Sequence, residues 1–144
     1  MDHNLRVDTT VVINTAAKQV WDALTDPGKI KDYLYGTETI TDWKVGSAVI
    51  FQGEYKGHKY KDHGVILENK PLEVLSYSYW TGFSGLEDKP GNYAKIIYTL
   101  KPLAVDITEF SWSQIGFANE DGHKHSKNGM VDFLNKFKEV AERA

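Results

Sequence analysis

Residues 129–141 of this chain read GMVDFLNKFKEVA. The apolar residues of this segment fall at offsets 0, 3, 4, 7, 10 and 11 from the methionine. That spacing places them on one face of an α-helix. The sequence therefore predicts a long C-terminal helix of about five turns with a continuous apolar stripe, made of Met130, Phe133, Leu134, Phe137, Val140 and Ala141.

The chain before this helix is mostly strand-like. Ala48–Tyr55 alternates clearly, with Val49, Phe51 and Tyr55 on one face, and similar runs separated by turn residues follow it. Short turns between consecutive strands indicate an antiparallel sheet, and we expect six or seven strands. Because a single terminal helix covers only one face of such a sheet, the concave side is filled either by side chains or by a ligand.

Two short helices are predicted between the first strand, Leu5–Ile13, and the rest of the sheet. This order of elements defines an α+β fold. The predicted helices, caps and turns are Ala16–Thr25 with Asn14 or Thr15 as its cap, a second helix from Asp26-Pro27 to Gly36, a hairpin turn at Lys101-Pro102, and a cap at 119–122 before the long helix.

Length and composition favour one soluble domain spanning residues 1–144. The net charge of −3 with scattered cations does not indicate a nucleic-acid partner. The chain has no cysteine, so thiolate catalysis and cysteine-ligated metals are excluded. Met1–Arg6 is polar and no apolar run is long enough for a membrane span. We therefore expect a cytoplasmic protein without a membrane partner.

Several short segments together match a known pattern. They are Val20-Trp21-Asp22-Ala23-Leu24-Thr25-Asp26-Pro27, Trp43-Lys44-Val45-Gly46, Gly64-Val65-Ile66-Leu67-Glu68 with Pro71, Leu75-Ser76-Tyr77-Ser78-Tyr79, and Gly129-Met130 with Leu134 and Phe137-Lys138. On these segments and on the element order, residues 7–144 resemble the AHSA1 (activator of Hsp90 ATPase, C-terminal-like) family of the START-like, or SRPBCC, superfamily.

The resemblance implies the helix-grip fold, in which a curved antiparallel sheet wraps the terminal helix and leaves a cavity between them. It also implies binding of apolar small molecules or protein partners, without a shared catalytic triad. The chain departs from the family pattern at Met130, where the family commonly has Trp, and the thinner methionine leaves more room for a cavity. The Hsp90 activator proper carries a further N-terminal domain, so Hsp90 activation is not implied here.

The sequence gives only weak indications of catalytic or metal-ligating residues. His123 and His125 lie at a helix start, where their side chains diverge, and we expect both in solvent. Asp62-His63 is interpreted as an exposed strand pair whose side chains point to opposite faces. No serine lies in a nucleophile elbow. The sequence thus predicts no catalytic residue, no metal site and no cofactor.

The aromatic residues are the better candidates for a site. Tyrosine is informative because a buried phenol needs a hydrogen-bond partner, and polar handles in an apolar space are typical of small-molecule sites. A packed core is the alternative for each residue. The predicted ligand-binding residues are Phe51, Tyr55, Tyr77, Tyr79, Tyr98, Trp112, Gly129, Met130, Phe133 and Phe137. The segment Gly82–Asn92 is either a lid over this site or a flexible surface loop.

Three functions remain open from the sequence. The leading hypothesis is a non-enzymatic binding domain for an apolar or aromatic small molecule. The second is an enzyme of the polyketide cyclase or hydrolase type, which would need a polar dyad inside the cavity. The third is a stress-response interaction module, similar to an Hsp90 activator, which would use an apolar patch on the outside to bind a protein partner.

Overall fold

The computed structural model describes residues 1–143, which form one antiparallel sheet and three α-helices. Ala144, the last residue of the predicted domain, lies outside the described residues. Among residues 1–143, no helix combines the length and the apolar character that a membrane crossing requires. The elements are β1 (Asp2–Ile13), α1 (Ala17–Thr25), α2 (Pro27–Tyr33), β2 (Glu38–Ile40), β3 (Ala48–Tyr55), β4 (His58–Lys70), β5 (Val74–Tyr79), β6 (Ala94–Ala104), β7 (Ile107–Phe117) and α3 (Glu120–Glu142).

The sheet has seven strands in the order β1-β7-β6-β5-β4-β3-β2, and every neighbouring pair is antiparallel. The α+β class and the helix-grip architecture predicted from the sequence are confirmed. The predicted turn at Lys101-Pro102 is wrong, because β6 continues to Ala104 and the chain reverses at Val105-Asp106. Pro102 is tolerated there because the ladder loses its register between Pro102 and Ala104.

Local capping explains two of the three helix starts. The Asp26 carboxylate accepts a hydrogen bond from the Gly28 amide at 2.9 Å, and Pro27 occupies the first turn of α2. The Asn119 side chain likewise accepts from the Gly122 amide at 2.8 Å and begins α3. The predicted cap for α1 is wrong. Its N-cap residue is Ala16, which makes no side-chain cap.

The C-terminal half of α3 packs into the hydrophobic core. Leu134, Phe137, Val140 and Ala141 are all buried against the sheet and the short helices. The centroid of the Phe137 ring lies 4.6 Å from the ring centroid of Phe110 and 4.9 Å from that of Tyr33. Both are close aromatic contacts. The predicted burial of Leu134 and Phe137 is confirmed, but Phe133 is only half-buried.

Three polar contacts attach the two ends of α3 to β1 and to Asn14, the residue that follows it. Near the C-terminus, Lys138 Nζ donates to the Val12 carbonyl and the Asn14 amide donates to Glu142, both at 2.8 Å. Near the N-terminus, His123 Nε2 donates to the Arg6 carbonyl at 2.9 Å. The prediction that His123 is simply solvated is therefore wrong. These contacts fix the height of the helix above the sheet along its length.

Truncation of Leu134 tests this packing. Leu134 is 2% exposed, so Leu134→Ala should lower the free energy of unfolding by about 2–5 kcal/mol. Urea unfolding followed by circular dichroism measures the loss. Asn135→Ala, at an exposed position of the same helix, is the matched control and should change stability little. A loss below about 1 kcal/mol for Leu134→Ala would contradict the packing described here.

Candidate functional site

A cavity of about 350 Å³ lies between the concave face of the sheet and the N-terminal half of α3. Its walls come from β3, β4, β5, β6 and β7 on one side and from the helix residues His125 to Phe133 on the other. His125 and Gly129 are exposed, so the mouth of the cavity lies beside them. The volume is at the lower end of the range of small-molecule pockets.

Eight of the ten residues predicted from the sequence line this cavity. They are Phe51, Tyr77, Tyr79, Tyr98, Trp112, Gly129, Met130 and Phe133. The period-two pattern of the strands and the helical stripe brought these positions together, as expected. Six polar residues join them at the wall, namely Thr37, Tyr60, Asp62, Gln114, His125 and Ser126.

Two of the predicted residues lie elsewhere. Tyr55 has the right strand parity but is 58% exposed, because it ends β3 at a turn beyond the reach of α3. Phe137 is 1% exposed and is packed between Phe110 and Tyr33. It belongs to the closed core, one helical turn or more away from the cavity.

Two buried tyrosines at the cavity wall are each other's hydrogen-bond partners. The Tyr77 and Tyr98 hydroxyls are 2.8 Å apart and share a hydrogen bond. Burial raises the pKa of Tyr98 to about 12 and raises that of Tyr77 well above its usual value. Both therefore remain neutral phenols at neutral pH. A second pair at the wall joins the Thr37 and Tyr60 hydroxyls at 2.6 Å.

Asp62 is the residue that the sequence interpretation missed. Asp62 and His63 do point to opposite faces, but Asp62 is only 6% exposed and forms part of the cavity wall. Tyr79 donates a hydrogen bond to Asp62 Oδ2 at 2.7 Å. The signal was present in the sequence, since Asp62 shares strand parity with the buried Ile66.

The position of Asp62 depends on a close approach of two strands. A Cβ atom on Gly64 would lie 1.6 Å from the carbonyl oxygen of Ser78 in β5. Only glycine therefore permits β4 and β5 to come this near, a common reason for glycine within a strand. The approach brings Asp62 of β4 alongside Tyr79 of β5.

The segment Gly82–Asn92 begins beside the cavity wall, where the centroid of the Phe83 ring is 5.8 Å from that of Tyr60. It contains two short 3-10 turns, Gly82–Ser84 and Pro90–Asn92, and none of its residues lines the wall. Asp88 in this segment pairs with His63 Nε2 at 2.9 Å on the opposite face of the sheet from Asp62. The segment thus contacts the outer face of the sheet through Asp88 and the cavity wall through Phe83.

Comparison of this sequence with known proteins identifies its family. Residues 14–142 match the family described as activator of Hsp90 ATPase homolog 1-like protein. The chain belongs to the AHSA1 family. A solved Cytophaga hutchinsonii protein is 34% identical to this AHSA1 chain, with a TM-score of 0.82 and coverage of 99% of this chain and 97% of that one. No functionally curated protein matches the sequence.

Two more distant structures show the same fold. An Hsp90 activator from Plasmodium falciparum is 14% identical, with a TM-score of 0.74 and coverage of 94% of this chain and 95% of that one. DynU16, a protein of the dynemicin biosynthetic locus, is 15% identical, with a TM-score of 0.76 and coverage of 96% of this AHSA1 chain and 48% of that one. At these identities the likeness concerns the fold alone.

Burial raises the pKa of the Asp62 carboxyl, while the Tyr79 hydrogen bond and the nearby Thr81 and His63 oppose that shift. The folded chain therefore binds the Asp62 proton more tightly than the unfolded chain does. This contribution to stability is fully present below the unfolded-state pKa and is lost as pH rises through the folded-state pKa. Asp62→Asn should remove it.

Urea unfolding of the parent and of Asp62→Asn between about pH 3 and about pH 7 tests this linkage. We expect the stability of the variant relative to the parent to increase as pH rises over that range. Asp106→Asn, at an exposed turn position, should show no such trend. A difference between Asp62→Asn and the parent that is constant with pH would show that burial does not perturb this carboxyl.

Proposed function

We propose that this AHSA1 chain binds an apolar or aromatic small molecule in the cavity between the sheet and α3, without transforming it. The observation that carries the proposal is the cavity of about 350 Å³ lined by aromatic rings from five strands and one helix. An apolar wall with a few placed polar groups is the usual composition of a ligand pocket. The cytoplasmic location predicted from the sequence is part of this proposal.

The position of Gly129 supports an open space. A Cβ atom added there would meet no atom within 4 Å, so glycine is not required by a packing contact. Glycine within a helix costs about 1 kcal/mol relative to alanine. Its presence at the mouth of the cavity is consistent with keeping that mouth free for a ligand.

Gly129→Leu should close the cavity mouth. We expect it to abolish the fluorescence enhancement of N-phenyl-1-naphthylamine, an uncharged environment-sensitive probe, while the fold is kept. The free energy of unfolding should stay level or rise by up to about 1 kcal/mol, because helix propensity improves. The change is measured by a probe titration and by urea unfolding of the same preparations.

The matched control is Asn128→Leu, which adds the same side chain at an exposed neighbouring position that does not line the cavity. It should bind the probe as the parent does. If Gly129→Leu unfolds, Gly129 makes a packing contact; if it binds the probe normally, the probe occupies another place. Either result would contradict the proposed location.

One observation favours the enzyme alternative. The polar dyad that a cyclase or hydrolase would need is present as Asp62 and Tyr79, hydrogen-bonded at 2.7 Å in the cavity wall. Incubation with a bound ligand followed by mass spectrometry of that ligand distinguishes the two functions. An unchanged mass supports binding alone, whereas a changed mass that depends on Asp62 would identify an enzyme.

A second observation favours the interaction-module alternative. Leu103 and Val105 at the β6–β7 turn are 50% and 86% exposed, and neither lines the cavity. Replacing both with serine should leave probe binding intact under our proposal. A loss of probe binding in that variant would show that the cavity and this surface are not separate.

A further inference from the structure

The cavity wall contains one buried carboxyl group, that of Asp62, and its only basic side chain is His125, which is exposed at the mouth. Asp62 is the only carboxylic acid among the residues that line the cavity, and none of them is lysine or arginine. Of the two basic residues next to Asp62 in the chain, Lys61 is exposed, and His63 points to the opposite face and pairs with Asp88. Asp62 therefore supplies the one carboxyl group that a ligand would meet inside the cavity.

The hydrogen bonding of this carboxylate is incomplete. A carboxylate has about four acceptor positions, and Tyr79 fills one of them through Oδ2. Oδ1 is shielded from solvent and has no hydrogen-bond partner among the described residues. The Thr81 hydroxyl and the Gly82 amide are near enough to lower the pKa of the carboxyl, yet neither makes a hydrogen bond of normal geometry to Oδ1.

A buried carboxylate is costly unless a cation or further donors compensate it. The aromatic wall beside it is compatible with a cation, because the faces of aromatic rings attract positive charge. Phe51, Tyr77 and Tyr79 form a contiguous group here, with ring centroids 5.4 to 6.4 Å apart. None of the residues that line the cavity is a lysine or arginine that would pair with an anion beside Asp62.

We propose that the cavity selects ligands that join an aromatic or alicyclic body to a positively charged amino group. The amino group pairs with the Asp62 carboxylate, and the body lies against Phe51, Tyr77 and Trp112. This inference rests on the proposed binding function and specifies the chemical class of its ligand. It excludes carboxylic acids of the same shape.

Four probes with one ring system test the selection on the unmodified protein. They are 2-naphthylmethylamine, 2-naphthylmethanol, 2-methylnaphthalene and 2-naphthoate, each measured at neutral pH by displacement of N-phenyl-1-naphthylamine. We expect the amine to bind about tenfold or more tightly than the alcohol, as for a hydrogen bond to a charged group. The alcohol should bind more tightly than the hydrocarbon, and 2-naphthoate should bind most weakly of the four.

Three variants test whether the preference for the amine depends on the Asp62 side chain. Asp62→Asn should remove the advantage of the amine while the affinity for 2-methylnaphthalene is kept. Asp106→Asn, which makes the same change of charge at an exposed turn, should preserve the amine preference. Thr81→Val should also preserve it, because Thr81 does not make the missing hydrogen bond to Oδ1.

The outcomes separate this inference from the proposed function. If none of the four probes displaces the dye, the proposed function itself fails. If all four bind equally, or if 2-naphthoate binds best, the cavity binds ligands but the selection for amines is overturned. Loss of the preference in Thr81→Val would overturn the assignment of a free acceptor at Asp62. The ranking on the unmodified protein stands as a test even if Asp62→Asn does not fold.

Discussion

The rest of the structure depends on how the C-terminal half of α3 is seated on the sheet. Phe137 lies between the rings of Phe110 and Tyr33, and Leu134 is buried beside it. The helix is also attached at both ends, to β1 through His123 and Lys138 and to Asn14, just after β1, through Glu142. A helix held in this way cannot move closer to the sheet at its N-terminal half without breaking those contacts. The space there therefore persists as a cavity.

The apolar stripe of α3 explains why that space is not filled by protein. Going toward the N-terminus, the stripe ends at Met130, and the next inward positions are Gly129, Ser126 and His125. The strands opposite continue to present aromatic rings. The helix side of the cavity thus consists of Met130 and Phe133 with small or polar residues at the mouth, and the sheet side is mostly aromatic. Asp62 supplies the only carboxyl group among the residues that line this space, and the proposed ligand selectivity depends on it.

Most of the fold could be predicted because it follows from periodicity and capping. The helical spacing of 130–141, the alternation of 48–55 and the caps at Asp26 and Asn119 are local signals. Asp62 was missed because its burial depends on β4 and β5 approaching at Gly64, a contact between strands that alternation alone does not reveal. Tyr55 was misplaced for a similar reason, since parity does not show where the sheet extends past the helix.

The central claim is that the cavity is open to a ligand, and the methionine methyl groups test it most directly. The chain has two methionines. Met130 lines the cavity and Met1 does not, so methyl labelling with carbon-13 gives one reporter signal and one internal control. With N-phenyl-1-naphthylamine added, we expect chemical-shift changes and intermolecular nuclear Overhauser effects at Met130 and none at Met1. A saturating probe that leaves the Met130 methyl unchanged would contradict the account.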